Sequence, residues 1–425
     1  MTEADPTPPA AAPAAPAREP QQTNWALVAL LWLSGVAAGL QFAKASIAFD
    51  ALAAHYGASP ALAGWLLSTV GVVGVVFGAS AGLVVERIGF RRSLVIGLAA
   101  AAALSGFETL LPPVPFFLAA RALEGASHLA IIVAAPSCLV HVVAPGRRTI
   151  VIGLWGTFFS VAFLIAGALG LPLLGAFGLS GLFAAHEIAA AALALAAALF
   201  IPADPPRPAR TREAARRSVI AVHVDVYADP RSAIPALCFL CYTGMYLALQ
   251  TLTPELAAPA DRVWLTAGMP AVSVVTTLVA GALAQFGISP FRLAASAFAA
   301  TFAFSLLLHL AVAIGGPVAP LGFIRMAFVS LLPGAVYPMI PLLCPTPPVQ
   351  ARAYGAIAQL GNVGSTLGPP LFAGSMAAIG PHGLLVPALV MCVAGAAIAL
   401  WAERPAAMVR QATTTDRLGS RDRTA

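Results

Sequence analysis

The sequence predicts an all-α integral membrane protein of about twelve spanning helices, arranged as two six-helix pseudo-repeat bundles. Three observations carry that expectation. Apolar residues make up 60% of the 425 and charged residues only 9%, whereas a soluble domain is about a quarter charged. Apolar stretches of about 20 residues, enough to cross a hydrocarbon core of roughly 30 Å, recur between short breaks that carry Pro, Gly or Arg. One longer polar stretch, 202–232, divides these runs evenly.

The first 24 residues are rich in Pro and Ala, hold a single Arg and lack an apolar run before a cleavage site. They read as a disordered cytoplasmic tail, not a signal peptide. Six apolar segments come next, at 25–48, 60–85, 93–111, 116–142, 149–175 and 179–201, and form an N-terminal bundle over 25–201. The Pro, Arg and Asp content of 202–232 marks a cytoplasmic linker. A second set, at 233–256, 262–286, 291–313, 318–343, 353–377 and 382–402, forms a C-terminal bundle over 233–402, and 403–425 is a second cytoplasmic tail.

Orientation follows from the basic residues, because cytoplasmic loops retain them. Nineteen of the 23 Lys and Arg fall in the tails, the linker and the loops of one side, and Arg262 alone falls on the other. The remaining Lys44, Arg121 and Arg325 lie within apolar segments. Both termini are therefore expected in the cytoplasm of a bacterium, with the chain in its inner membrane. The net charge of +6 is then a topology signal and calls for no nucleic acid. The five cysteines sit in or beside apolar segments, so packing and not a disulfide framework is expected of them.

The two halves repeat one another. Segment 2 exits through Gly82-Leu-Val-Val-Glu86-Arg87-Ile-Gly89, and segment 8 through Gly281-Ala-Leu-Ala-Gln285-Phe286-Gly287, a similar frame one residue shorter and with its charges lost. Segments 4 and 10 each carry a lone Arg, Arg121 or Arg325, and each reaches a proline, Pro136 or Pro341, some turns later. Such tandem repeats build transporters with the site between the halves. Spacings of i, i+3 and i+7 place Arg121, Glu124 and His128 on one helix stripe. An Arg at mid-bilayer costs at least about 2.5–3.5 kcal/mol, so Arg121 needs a partner, which Glu124 can supply, or a snorkelling path to the surface. Lys44, Glu108, His186, Glu187, His309 and Arg325 fall in the same outer half, which suggests an aqueous vestibule opening outward. Glu187 is the next protonatable carboxylate after Glu124.

The loop after segment 2 resembles the most diagnostic signature of the major facilitator superfamily at Gly82, Glu86, Arg87, Gly89, Arg91 and Arg92, with Glu where Asp is commoner. Arg121-Ala-Leu-Glu124-Gly125 resembles that superfamily's Arg-x-x-x-Gly signature, which in its proton-linked exporters implies a role in proton coupling. Gly167-x-x-x-Leu171-Pro172-x-x-Gly175-Ala176 looks like an eroded form of its antiporter signature, with Gly364-Ser-Thr-Leu-Gly368-Pro369 at the equivalent place in the second half. The resemblance implies alternating access between two bundles. The latch is expected at the exit of segment 2, where Gly82 also ends a Gly74, Gly78, Gly82 small-residue face. Close helix packing is expected at Gly167, Pro172, Gly175, Gly364, Gly368 and Pro369.

The function expected is proton-coupled export of a small amphiphilic metabolite, drug or siderophore. Uptake of a small organic anion, favoured by Lys44, Arg121 and Arg325, is the alternative, and a membrane sensor or membrane-bound enzyme is a remote one. Gly78-Ala-Ser80-Ala-Gly82 fits the nucleophile-elbow pattern but lies in a membrane helix, and His186-Glu187 lacks the second His of a metalloprotease helix. There is no Walker pattern, so an ion gradient or facilitated diffusion drives the movement. The expected partners are a small-molecule substrate, protons and lipid, with no cofactor, no metal and a monomeric chain. Gln41, Trp155, Tyr242, Tyr246, Gln250, Gln359 and Asn362 are placed by position toward the substrate cavity.

Overall fold

The computed structural model describes residues 22–147, 151, 154–204, 219–344 and 346–421. The tail before Gln22, the arginine-rich middle of the linker, and Arg148 lie outside the described residues, together with the disorder and charge placement expected of them. Among the described residues, ten helices are long and apolar enough to cross a membrane. Two features raise the crossings to twelve. The 43-residue run Phe158–Phe200 is broken where Gly178 takes φ 66° and ψ −166°, a conformation open to glycine and few others. The helix Pro347–Ile379 is long enough to cross, but its Gln, Asn, Ser, Thr and paired prolines make it less apolar than the others.

The spans are α1 (Trp25–Ile47), α2 (Pro60–Ile88), α3 (Phe90–Glu108), α4 (Val114–Val142), α5 (158–177) and α6 (179–200) in the first half. In the second they are α7 (Pro230–Leu252), α8 (Pro259–Gln285), α9 (Pro290–Ala313), α10 (Val318–Val336), α11 (Pro347–Ile379) and α12 (His382–Glu403). Local chemistry sets many starts. Ser59, Asp229 and Ser289 each cap a helix whose next residue is proline, and their side chains accept from the N–H of Leu62, Arg231 and Arg292. The missing proline N–H is one the first turn cannot use, and its fixed φ suits the helix. The helix of α10 stops at Val336 and resumes as Met339–Leu343, earlier than the continuous segment expected to 343, because Pro338 and Pro341 cannot donate to the ladder.

The exits of α2 and α8 bear out the repeat. Gly89 and Gly287, which close the two exits, both have positive φ, 112° and 90°. Helices α1, α2, α4 and α6 contribute to both of two buried clusters in the first half, one shared with α3 and the other with α5, and α7, α9, α10 and α12 contribute to a further one. An even number of crossings puts both ends of the chain on one face.

The halves meet along α2 and α11. Ideal Cβ atoms at Gly64 and Gly78 would come within 3.0 Å of the backbone of Pro370 and Gln359, so only glycine permits that approach. Gln359 Nε2 donates to the Val75 carbonyl at 2.7 Å. A linker helix, Val219–Ala228, bridges the same junction on the face of the termini: the Tyr227 hydroxyl donates to Gln359 Oε1 at 2.9 Å, and His223 Nε2 meets the Val76 carbonyl at 3.1 Å. On the opposite face the halves are joined by Ser46 and Thr251, whose hydroxyls are 2.6 Å apart, and by Gly167 of α5 against Ala267 of α8.

Candidate functional site

The centre of the first half is an ion network. Lys44 reaches from α1 and spends all three ammonium protons: on Ser105 Oγ (2.6 Å) and Glu108 Oε2 (2.7 Å) of α3, and on Glu124 Oε1 (2.7 Å) of α4. Arg121 pairs with the other oxygen of Glu124. Its Nε and NH2 donate to the carbonyls of Leu66 (3.2 Å), Gln41 (2.7 Å) and Leu67 (3.1 Å). Those α2 carbonyls are freed where the helix tightens into a 3-10 turn at Thr69–Gly71. From α6, His186 Nδ1 accepts from the Ser105 hydroxyl at 2.9 Å, while its Nε2 donates to the Ala37 carbonyl at 3.0 Å. The Phe183 ring lies 5.1 Å from the Lys44 ammonium.

Lys44, Glu108, Arg121 and Glu124 are each no more than 2% exposed. Two cations face two carboxylates, so the cluster is neutral as a whole. Burial of single charges would cost several kcal/mol each, and short, multiply hydrogen-bonded pairing offsets that cost. One acceptor is left over: Glu108 Oε1 has no hydrogen-bond partner, although Arg121 NH1 stands 3.7 Å away. The Arg121–Glu124 pairing expected from the i, i+3 spacing is present. The snorkelling path is not taken, since the guanidinium is fully enclosed.

Other expectations need correction. The charged groups do not line an open vestibule: five helices close around them, and the second half holds its own Arg325 separately, bonded to Thr253 Oγ1. His128 shares the Arg121 stripe but turns to the Ala38 carbonyl at 3.0 Å and to the Phe42 ring. Glu187 stays outside the network, its carboxylate packed over Gly106 of α3. Gln359 and Asn362 lie in the α2–α11 seam and not in a cavity. Gln41 and Gln250 are buried, each with an unpartnered Oε1.

Among the packing residues, Gly167 meets Ala267 of the other half, and Gly364 and Gly368 meet Gly244 of α7. Pro369, with Pro370, covers Gly64 of α2. Pro172 is exposed and nothing lies within 4 Å of a Cβ at Gly175, so neither packs a helix pair. Gly82 also faces open space, and the close approach of α2 to α11 runs only as far as Ala79, which meets Gly355, within the 3-10 turn Gly78–Ser80. Glu86, Arg87 and Arg92 stand exposed at the α2 exit. Arg91 is tied within its own half: its N–H donates to Asp204 Oδ1 at 2.9 Å and its guanidinium to the Ala198 carbonyl at the end of α6.

Sequence reasoning did not group Glu108, Ser105 and His186 with Arg121. Their depth was legible, but only the packing of α3 and α6 against α1 turns them toward Lys44. On the opposite face Asp50 and Glu255, from different halves, come close enough for the Asp50 charge to act on Glu255, a pairing with no local signal. Burial, and then the Asp50 charge, push the Glu255 carboxyl up from the usual range, against the pull of Arg262, whose NH1 lies 2.9 Å from it.

Residues 31–344 match the description Major Facilitator Superfamily. The chain belongs to that superfamily. Its fold is similar to the solved structure of a bacterial homologue of the human lysosomal transporter Spinster, in an inward-facing, unoccupied conformation, with 15% identity, a TM-score of 0.69, and coverage of 91% of this chain and 98% of that one. No curated protein matches the chain. As a major facilitator the chain is a multi-pass membrane protein of the secondary-transporter class, which points away from an enzyme and implies a small-molecule substrate. Rings from both of its bundles run in contact across the middle of the molecule: Phe42 to Phe159 (5.8 Å between centroids), Phe159 to Tyr246 (6.1 Å), Tyr246 to Tyr242 (5.4 Å) and Phe239 to Tyr337 (5.6 Å).

Proposed function

We propose that this major facilitator exports a small amphiphilic molecule, of the metabolite, drug or siderophore kind, across a bacterial inner membrane in exchange for protons. Both termini are cytoplasmic, residues 25–201 and 233–402 are the two rocking bodies, and a single chain suffices. The observation that carries the reading is the neutral four-charge network around Lys44. A proton added to either carboxylate leaves the enclosed cluster with a net positive charge, which a low-dielectric core disfavours. Rearrangement of α1 against α3 and α4 relieves that charge, and α1 also bears Ser46, one of the joints to the second half. Proton occupancy and bundle orientation are thereby linked, as alternating access requires.

The aromatic series between the bundles supports an amphiphilic substrate, since such rings offer large apolar faces with a few hydroxyls for orientation. Organic-anion uptake is less well supported: Lys44 and Arg121 are already neutralised by Glu108 and Glu124, and Arg325 is in the other bundle, so the basic trio shares no common space. The test is flux in reconstituted vesicles. Glu124→Gln should abolish transport driven by a pH gradient and spare substrate exchange without net proton movement; unchanged gradient-driven flux would remove the network from the mechanism. Growth of a deletion strain on antibiotics, under iron limitation and on single carbon sources identifies the substrate class.

A further inference from the structure

We infer that Arg325 holds a small monovalent anion of halide size in the second bundle, at a site distinct from the Lys44 network. Arg325 is 2% exposed, and its described polar partner is the hydroxyl of Thr253, which receives NH2. Nε and NH1 have no protein acceptor among the described residues. Beside the guanidinium is a cavity of about 10 Å³, lined by Ser305, Leu308 and His309 of α9 together with Leu256 and Pro381 from the loops of the face opposite the termini. That is room for one occupant about the size of a water.

Comparison with the first bundle identifies the occupant's charge. Arg121 and Arg325 hold equivalent places in the repeat. Three residues beyond Arg121 stands Glu124; three beyond Arg325 stands Phe328, which stacks on Phe304. Helix α3 presents Ser105 and Glu108, and α9 presents Ser305 and Leu308 with the same spacing. Both carboxylates that neutralise the first arginine are therefore replaced by hydrocarbon around the second, while the serine and the guanidinium remain. An enclosed guanidinium without a counter-charge is strongly disfavoured. A mobile anion from the adjoining aqueous face supplies the charge, with the Arg325 guanidinium as its donor, since the Ser305 hydroxyl is spent on the Thr301 carbonyl at 2.7 Å. The site also adjoins the first bundle: Thr253 leads directly into the turn Pro254–Leu256, whose Glu255 feels the charge of Asp50 of that bundle.

The test is thermal unfolding of the purified full-length protein in sodium chloride and in sodium gluconate at equal ionic strength, with chloride as the probe and gluconate too large for the cavity. The wild type should gain Tm with the logarithm of chloride concentration above its Kd, about 3 °C when chloride exceeds its Kd by about a hundredfold. Arg325→Gln should lose the response. Because that variant can fail to fold, Leu308→Glu provides the second arm: it places a tethered carboxylate where the first bundle has Glu108, so its Tm should be independent of chloride. A wild type that melts identically in both salts, or a Leu308→Glu protein that responds to chloride as the wild type does, would overturn the inference.

Discussion

Lys44 and Glu124 stand 80 residues apart in the chain and 2.7 Å apart in the fold. Lys44 divides itself between this carboxylate and Glu108, so neither can be protonated, displaced or deleted without redistributing the charge of the other. Its removal should be severe. Lys44→Met leaves two enclosed carboxylates on one guanidinium and is expected to cost about 3–5 kcal/mol. The double variant Lys44→Met, Glu108→Gln removes one charge of each sign and should recover most of that loss. Chemical unfolding of the two single variants and the double measures the coupling; simple additivity would show that the ions act independently.

Arg121→Lys separates a built site from a merely basic one. The guanidinium serves three carbonyls and a carboxylate at once, a fan that a compact ammonium cannot span. Each stranded carbonyl costs about 1–3 kcal/mol, so the variant should be clearly destabilised and should transport poorly at matched expression. Free substitution by Lys, read as unchanged Tm and flux, would restore the snorkelling account.

Three glycines along α2 and its exit should behave differently. Gly78→Leu collides with the Gln359 backbone and should pry α2 from α11, whereas Gly82→Leu enters open space and should be tolerated. Gly89→Leu forces a branched residue to φ 112°, a strain of about 1–3 kcal/mol, and should slow transport while leaving the protein in the membrane. Detergent-solubilised melting and vesicle flux on the three variants rank them; equal effects at positions 78 and 82 would contradict the α2–α11 seam.

The Asp50–Glu255 contact predicts a pH-dependent seal. Glu255 lies outside the spans, and its carboxyl is raised by burial and by Asp50. A carboxyl raised in the closed contact binds a proton that the separated faces would release, so closure is most favoured below the ordinary carboxylate range and weakens as pH rises through the raised value. Spin labels at Ala54→Cys and Ala258→Cys should show the distance distribution shifting outward with increasing pH, and Glu255→Gln should abolish the shift. A distribution insensitive to pH in the parent protein would count against the seal.

Orientation has its own check. A reporter fused after residue 215 should score cytoplasmic and one near Gly57 periplasmic, because nineteen basic residues flank one face and Arg262 alone the other. Reversal of both signals would invert every assignment of inside and outside.

Most of the fold was legible in order along the chain. Hydropathy marks the spans because the bilayer demands about 20 apolar residues wherever a helix crosses. The likeness of the exits ending at Gly89 and Gly287 was legible in the sequence, and both glycines take positive φ. The Arg121–Glu124 pair came from helical spacing, since both sit on one helix. What tertiary structure alone decided was which neighbours those residues meet. Glu108 and His186 join Lys44 only because α3 and α6 close on α1, and Gly82 drops out of the seam, facing open space beyond the 3-10 turn Gly78–Ser80. Spacing along one helix is a property of the backbone, whereas facing across helices depends on rotations and depths set by all the contacts together, and a few tens of degrees exchange one partner for another.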